Sequence, residues 1–467
     1  MEKQQKSKLC CRVVLFPQPY TGHITPMLNL GNALHSKGFS ITVIHTHFNS
    51  PNPVEFPNFN FHFIEDVLSK AKTPSSGSLD TITILNKSCL ESFRNCLSQI
   101  LEHASKDREP VACLISDPLW EFAGVVADQL NLPRLALRTG GLLASILYES
   151  LPLLQEKGYF PLQDTRKEEP VLEVPPLKVK DLPPEIHHDV LLGMVKETKR
   201  NCQGIICNTF KELEGSILDR VRGNFLATPI FLTGPLHKIS PTSTSSIVTQ
   251  EQSSITWLNK QAPNSVLYVS FGTLAAISKE QFLEVAWGLA KSQQPFLWAT
   301  RPRLINGSEK NEELFPKEFI EIVNQRGHIV SWVPQQQVLA HPAIGGFWTH
   351  CGWNSTIESI CEGVPMICLP FFGDQKMNAR HISDVLKVGL QLEKQLERQE
   401  IESVIRRLMV EKEGQEMRER VNALKEKAKC CLMKGESSYE SLDQLISHIL
   451  SFCGAEMVRS RNNQTIP

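Results

Sequence analysis

The residues best suited to chemistry lie in a short turn, His350-Cys351-Gly352-Trp353-Asn354-Ser355, which opens into a segment read as a helix from about Thr356. A helix start presents unpaired backbone N–H groups and the positive end of the macrodipole, so it suits a pyrophosphate without a metal. Gly352 lets the backbone approach closely, and Asn354 and Ser355 add short polar groups of the N-cap type. The same letters also describe an ordinary capped helix. Two other side chains could move or hold a proton. His23 stands in a loop or at a helix start, and an imidazole can accept a proton near neutral pH. Asp117 follows an apolar run. By position alone His23 also reads as a surface or capping residue, and Asp117 as a helix N-cap.

The elements that would place these residues alternate strand and helix. Cys11 to Phe16 is a β-branched run, followed by a loop, an apolar-periodic helix from about Ile24 to Ser36, and a strand at Phe39 to His45. Val111 to Ser116 and Leu132 to Arg138 read as buried parallel strands ending at Asp117 and Thr139. Open α/β sheets bind ligands at the carboxyl ends of their strands, where His23, Asp117 and Thr139 all lie. A helix spans Leu79 to Lys106, another Leu142 to Gln155, and Gly204 to Thr209 and Ile230 to Gly234 add strands. The Ser/Thr-rich stretch around Lys238 to Ser246 is a linker. After it, Val266 to Phe271, Phe296 to Ala299, Phe347 to His350 and Met366 to Leu369 are strands of a second α/β domain, and Ile401 to Lys429 and Tyr439 to Phe452 are helical.

The stretch from Trp332 to Gln375 closely resembles the signature box of plant family 1 UDP-dependent glycosyltransferases. Trp332, Pro334-Gln335, His341, Gly346, Phe347, the HCGWNS turn, Glu358, Gly363-Val364-Pro365, Pro370 and Asp374-Gln375 stand where that family has them. The likeness extends along nearly the whole chain and is greatest to the group containing terpenoid, flavonoid and cytokinin glucosyltransferases. It implies an α/β GT-B fold, two Rossmann-like doubly wound domains facing across a cleft. Residues 1–238 would bind the acceptor, 239–254 link, 255–438 bind the UDP-sugar, and 439–467 form a helix crossing back to the first domain, with a tail.

The resemblance also assigns roles. His23, in Thr21-Gly22-His23-Ile24, would be the general base and Asp117 its partner at the far ring nitrogen. Trp332 would stack on uracil, Gln335 and the Val333 backbone would bond its edge, and Glu358 would accept from the ribose hydroxyls. Thr273, His350, Gly352, Asn354 and Ser355 would face the diphosphate, and Thr139, Trp353, Asp374 and Gln375 the sugar. Gly140-Gly141 departs from the family's usual serine-rich turn. Leu119, Trp120, Leu142, Leu147, Leu191 and Leu192 are candidates for an apolar acceptor pocket, although such leucines equally suit a core. The implied reaction is inverting transfer of a sugar to a small lipophilic acceptor, such as a terpenoid, flavonoid or other phenolic, or a cytokinin-like heterocycle. Gln375 accompanies glucose in most relatives, which points to UDP-glucose as donor cosubstrate; no permanently bound cofactor and no metal is expected.

Composition agrees. The 467 residues suffice for two domains, and 49 Lys+Arg against 50 Asp+Glu give a net charge of -1, so nothing points to nucleic acid or an anionic membrane. Thirteen cysteines show no C-x-x-C pair, as expected of buried thiols in a reducing, cytoplasmic setting. No apolar run is long enough to span a bilayer, and no Asp-x-Asp suggests a metal site. A monomer is the default. A non-catalytic UDP-sugar sensor would not need His23 and Asp117. A nicotinamide dehydrogenase would need a Gly-x-Gly-x-x-Gly after a strand, and there is none.

Overall fold

A computed structural model describes residues 11–69, 78–106, 109–224, 228–239, 249–301, 304–305, 315–393 and 396–463. The chain forms two units, residues 1–161, 184–243 and 431–467 in the first and 162–183 and 244–430 in the second. Residues 162–183 thus fall with the second unit although they precede the linker in sequence. Most of that linker lies outside the described residues, as does most of the polar stretch from Ser69 to Gly77.

Seven parallel strands build the first unit: β1 (Arg12–Phe16), β2 (Ser40–Thr46), β3 (Phe59–Ile64), β4 (Val111–Ser116), β5 (Arg134–Arg138), β6 (Gly204–Cys207) and β7 (Ile230–Leu232). Their order is β3-β2-β1-β4-β5-β6-β7. The order reverses between β1 and β4, and at such a switch point the flanking loops diverge and leave room for a ligand. β1 and β4 are buried on both sides, as their continuous apolar runs require. The edge strand β3, Phe59-Asn60-Phe61-His62-Phe63-Ile64, was not anticipated; within it only the two end residues, Phe59 and Ile64, are buried. The Ser437–Asn463 helix returns to this unit through Leu442, Leu445 and Ile449 in the core, and Ser438 Oγ donates to the Gly234 carbonyl at 2.6 Å.

In the second unit, six parallel strands follow the order β10-β9-β8-β11-β12-β13. They are β8 (Val266–Ser270), β9 (Phe296–Ala299), β10 (Gly327–Val330), β11 (Ile344–Thr349), β12 (Met366–Cys368) and β13 (Gly389–Gln391). The switch point here is between β8 and β11, which precede Gly272-Thr273 and the HCGWNS turn. A core led by Phe271, Phe282, Phe296, Trp298 and Trp348 fills one side of this sheet.

One thiol expectation is corrected. Cys11 and Cys453 are joined in a disulfide, because the terminal helix lies against the start of β1 in the first core. Among the described residues no helix is long and apolar enough to cross a membrane.

Candidate active site

In the first unit, the helix after β1 starts at Thr21, three residues earlier than its periodicity suggests, which puts His23 in its first turn. β1 pairs with β4 and β4 with β5, so the residues following these strands converge. His23 Nδ1 lies 2.6 Å from Asp117 Oδ2 and 3.1 Å from Thr139 Oγ1. A carboxylate oxygen can only accept, so Nδ1 carries the proton and Nε2 offers its lone pair. Asp117 is 2 % exposed, and its other oxygen accepts from the Leu119 N–H at 3.0 Å. Asp117 is not the cap of the next helix, which runs Ala123–Gln129 after Phe122; its carboxylate holds the turn at Leu119 and the histidine together. Tyr20 lies with its ring 6.3 Å from that of His23, and burial pushes its phenol up to about 12, which keeps it neutral.

Not every acceptor candidate survives as such. Trp120 is a core side chain: its indole is fully buried, stacks on Phe16 at 4.5 Å, and donates to the Pro17 carbonyl. Leu119, Leu142, Leu147 and Leu191 are buried and Leu192 is half-buried.

In the second unit, the helix of the HCGWNS turn runs Trp353–Glu362 with Gly352 as N-cap. It starts before Thr356 because Cys351, at φ +64°, breaks the strand direction and turns the chain at once into the helix. Asn354 and Ser355 therefore occupy the first turn instead of the cap. The His350 ring is wedged between two glycines: a Cβ at Gly272 would stand 2.6 Å from it, and one at Gly352 2.5 Å from its Nε2. Desolvation, helped by the Arg301 charge, pushes His350 down to about 4, so its imidazole is neutral at pH 7. Arg301 was not singled out from the sequence; its Nε donates to the Gly272 carbonyl at 2.7 Å and Nη2 to that of Ala275, bracing the turn that carries the exposed Thr273.

Trp332 presents its indole at the surface, 49 % exposed, which excludes a core role. Val333 beside it is buried. The Gln335 side chain turns inward: Nε2 donates to Ser355 Oγ at 2.9 Å and Glu358 Oε2 at 2.7 Å, and Oε1 accepts from Tyr268. This departs from the expectation that the side chain reaches a base edge, and the reason is Glu358, a buried carboxylate that requires donors. Gln336 Nε2 supplies another at 3.0 Å to Oε1. Glu358 is therefore no solvated helix face but an acceptor fixed in place.

Trp353 is buried. Asp374 is half-buried at the start of the Gln375–Arg380 helix, and Gln375 Oε1 accepts from the Phe371 and Phe372 N–H groups at 2.8 and 3.2 Å. Asn378 ties these parts together, with Nδ2 donating to the Cys351 carbonyl at 2.9 Å and Asp374 Oδ2 at 3.2 Å. Nothing local marked Asn378, since the Cys351 carbonyl that it bonds lies on another loop. Among the described residues no cluster of three or more His, Cys, Asp or Glu is placed to hold a metal ion.

Comparison with known proteins matches residues 235–426 to the family of UDP-glucoronosyl and UDP-glucosyl transferases. UDP-glycosyltransferase 76B1 of Arabidopsis thaliana is 46 % identical over 94 % of this chain and 98 % of its own length. UDP-glycosyltransferase 76G1 of Stevia rebaudiana is 48 % identical over 94 % and 97 %. A solved structure of Phytolacca americana UGT2, complexed with UDP-2fluoro-glucose and pterostilbene, superposes with a TM-score of 0.77 at 27 % identity, covering 93 % of this chain and 98 % of that one. With two Rossmann-like parallel sheets of the GT-B class and identity of this extent along nearly its full length, the chain belongs to the plant family 1 UDP-glycosyltransferases.

Proposed function

We propose that the protein transfers glucose from UDP-glucose, with inversion, to a hydroxyl of a small lipophilic plant metabolite such as a terpenoid, flavonoid or phenolic. The observation that carries this reading is the 2.6 Å contact between His23 Nδ1 and Asp117 Oδ2. His23 Nε2 takes the acceptor proton as the acceptor oxygen attacks the anomeric carbon, and Asp117 stabilises the imidazolium that forms. The bond from the anomeric carbon to the diphosphate oxygen breaks in the same displacement, so an α-linked donor gives a β-glucoside. Negative charge grows on the departing UDP. The first-turn N–H groups of the Trp353–Glu362 helix, with Thr273, Asn354, Ser355 and neutral His350 as hydrogen-bond donors, stabilise it in this reading.

On the donor side, Trp332 stacks on uracil, the Val333 backbone bonds its edge, and Glu358 accepts from the ribose. Asp374, Gln375, Thr139 and the Trp353 backbone meet the sugar. Since Gln375 Oε1 is held by two backbone N–H groups, its Nε2 is the atom that turns to a sugar hydroxyl. The test is mass spectrometry of the purified protein with UDP-glucose and a panel of terpenoids, flavonols, phenols and cytokinins. A product one hexose heavier supports the reading, and its anomeric proton coupling reports inversion. Product only with another UDP-sugar would move the donor assignment away from glucose.

A further inference from the structure

The helix that begins beside Asp374 has only six residues, Gln375–Arg380, and ends in a π-turn, His381–Val385. So short a helix has little stability of its own, so something else must fix it. Besides the Asn378 bond to the Cys351 carbonyl, the fixture is the segment 178–181, which comes from far earlier in the chain and falls with the second unit. Arg380 Nε and Nη2 donate to the two oxygens of Asp181 at 3.0 and 3.2 Å, and both residues are 2 % exposed. Arg380 Nη1 also donates to Glu393 and Asp384 at 3.0 and 3.2 Å. Asp181 Oδ2 accepts from the Lys178 N–H at 2.9 Å, Lys376 Nζ donates to the Lys180 carbonyl at 2.8 Å, and Lys180 Nζ lies 3.3 Å from Glu393.

A buried ion pair is a poor device for stability, since apolar residues of similar volume do as well or better. Its fork geometry does fix distance and orientation. We infer that Asp181 and Arg380 are positioning residues for the donor sugar, setting where Asp374 and Gln375 stand while leaving the uridine contacts at Trp332 and Glu358 untouched. The inference rests on the proposed reading that Asp374 and Gln375 hold the sugar. Displacing such a helix by about 1 Å can cost on the order of 100-fold in rate.

The experiment compares UDP and UDP-glucose binding by calorimetry, and kcat and KM for UDP-glucose, in the full chain and in Asp181→Asn, Asp181→Glu and the doubly apolar D181L/R380M. The last leaves no unpaired buried charge, so it keeps the test open if Asp181→Asn does not fold. Expected in Asp181→Asn and the double variant is UDP affinity within about twofold of wild type, with kcat/KM for UDP-glucose lowered on the order of 10- to 100-fold. Asp181→Glu recovers part of that loss. Equal weakening toward UDP and UDP-glucose, or unchanged kinetics in the folded double variant, would overturn the inference. Asp374→Asn run alongside separates the two layers: unchanged sugar kinetics in that variant would remove the sugar-site reading itself.

Discussion

Asp117 splits its carboxylate between two tasks, Oδ2 to His23 Nδ1 at 2.6 Å and Oδ1 to the Leu119 N–H at 3.0 Å. An asparagine can preserve the turn contact through its carbonyl oxygen, but its amide nitrogen would then face Nδ1 as a donor. That favours the opposite tautomer of His23 and leaves Nε2 protonated. Asp117→Asn is therefore expected to fold and bind UDP-glucose while kcat falls about 10²- to 10⁴-fold, and His23→Ala to do the same. Steady-state kinetics beside calorimetry decide it, and comparable turnover in His23→Ala would remove His23 from the mechanism.

Glu214 gives a pH-dependent prediction with a definite sign. It is fully buried and accepts from the Leu142 N–H at 2.8 Å, supplying the acceptor that the N-cap Gly141 lacks. Desolvation raises it to about 7 against the pull of Thr209 and the Leu142 and Leu143 N–H groups. The folded chain thus keeps a proton that the unfolded chain releases above about 4.5. The linked stability is complete below that value and is lost as pH rises through 7. Glu214→Gln has no such proton to lose, so its melting temperature relative to wild type should climb between pH 4.5 and 7. A constant difference across that window would mean that Glu214 does not titrate there.

Chelation should leave transfer essentially intact, because the donors proposed for the diphosphate are backbone and neutral side-chain groups. Assay after exhaustive treatment with a chelator checks this. Full loss restored by magnesium would show that a cation carries the leaving-group charge.

Trp332 should separate binding from folding. Its exposed indole contributes little to any core, so Trp332→Ala is expected to melt within a few degrees of wild type. A lost aromatic platform is worth about 1–3 kcal/mol per base, so UDP should bind roughly 5- to 150-fold more weakly. Thermal melts and UDP calorimetry report the two effects, and unchanged UDP affinity would exclude stacking.

The alternation of strands and helices was legible because each parallel strand here is a compact apolar run, as at Val111–Ser116 and Phe296–Ala299, whose bounds match the reading. Local pattern failed where a backbone turn overrides propensity. Trp353, Asn354 and Ser355 are indifferent helix formers, and only the left-handed Cys351 reveals that the helix begins with them. Gly22 likewise made the first turn around His23 look like loop. What no window of sequence carries is partnership across distance. Gln335 points inward for Glu358, Asn378 reaches Cys351, and Arg380 finds Asp181 199 positions away. The box residues were visible as types in order, whereas the groups that hold them still were not.

The clearest of those holding contacts is the packing of Gly352 on His350. Gly352 has φ −59°, which any residue adopts, so Gly352→Ala introduces no backbone strain. Its added Cβ instead meets His350 Nε2 at 2.5 Å and must displace the ring. Gly352→Ala should therefore weaken UDP-glucose binding about as much as His350→Ala does. The double variant removes the clash with the ring and should be no worse than His350→Ala alone, giving a coupling of about 1–3 kcal/mol in a double-mutant cycle. Gly272→Ala should behave differently: at φ +71° it adds roughly 1–2 kcal/mol of backbone strain that deleting the ring cannot relieve. Calorimetric affinities of the four cycle members, with Gly272→Ala as comparison, measure this. Additive losses at Gly352 and His350 would mean that the ring is not held by that contact.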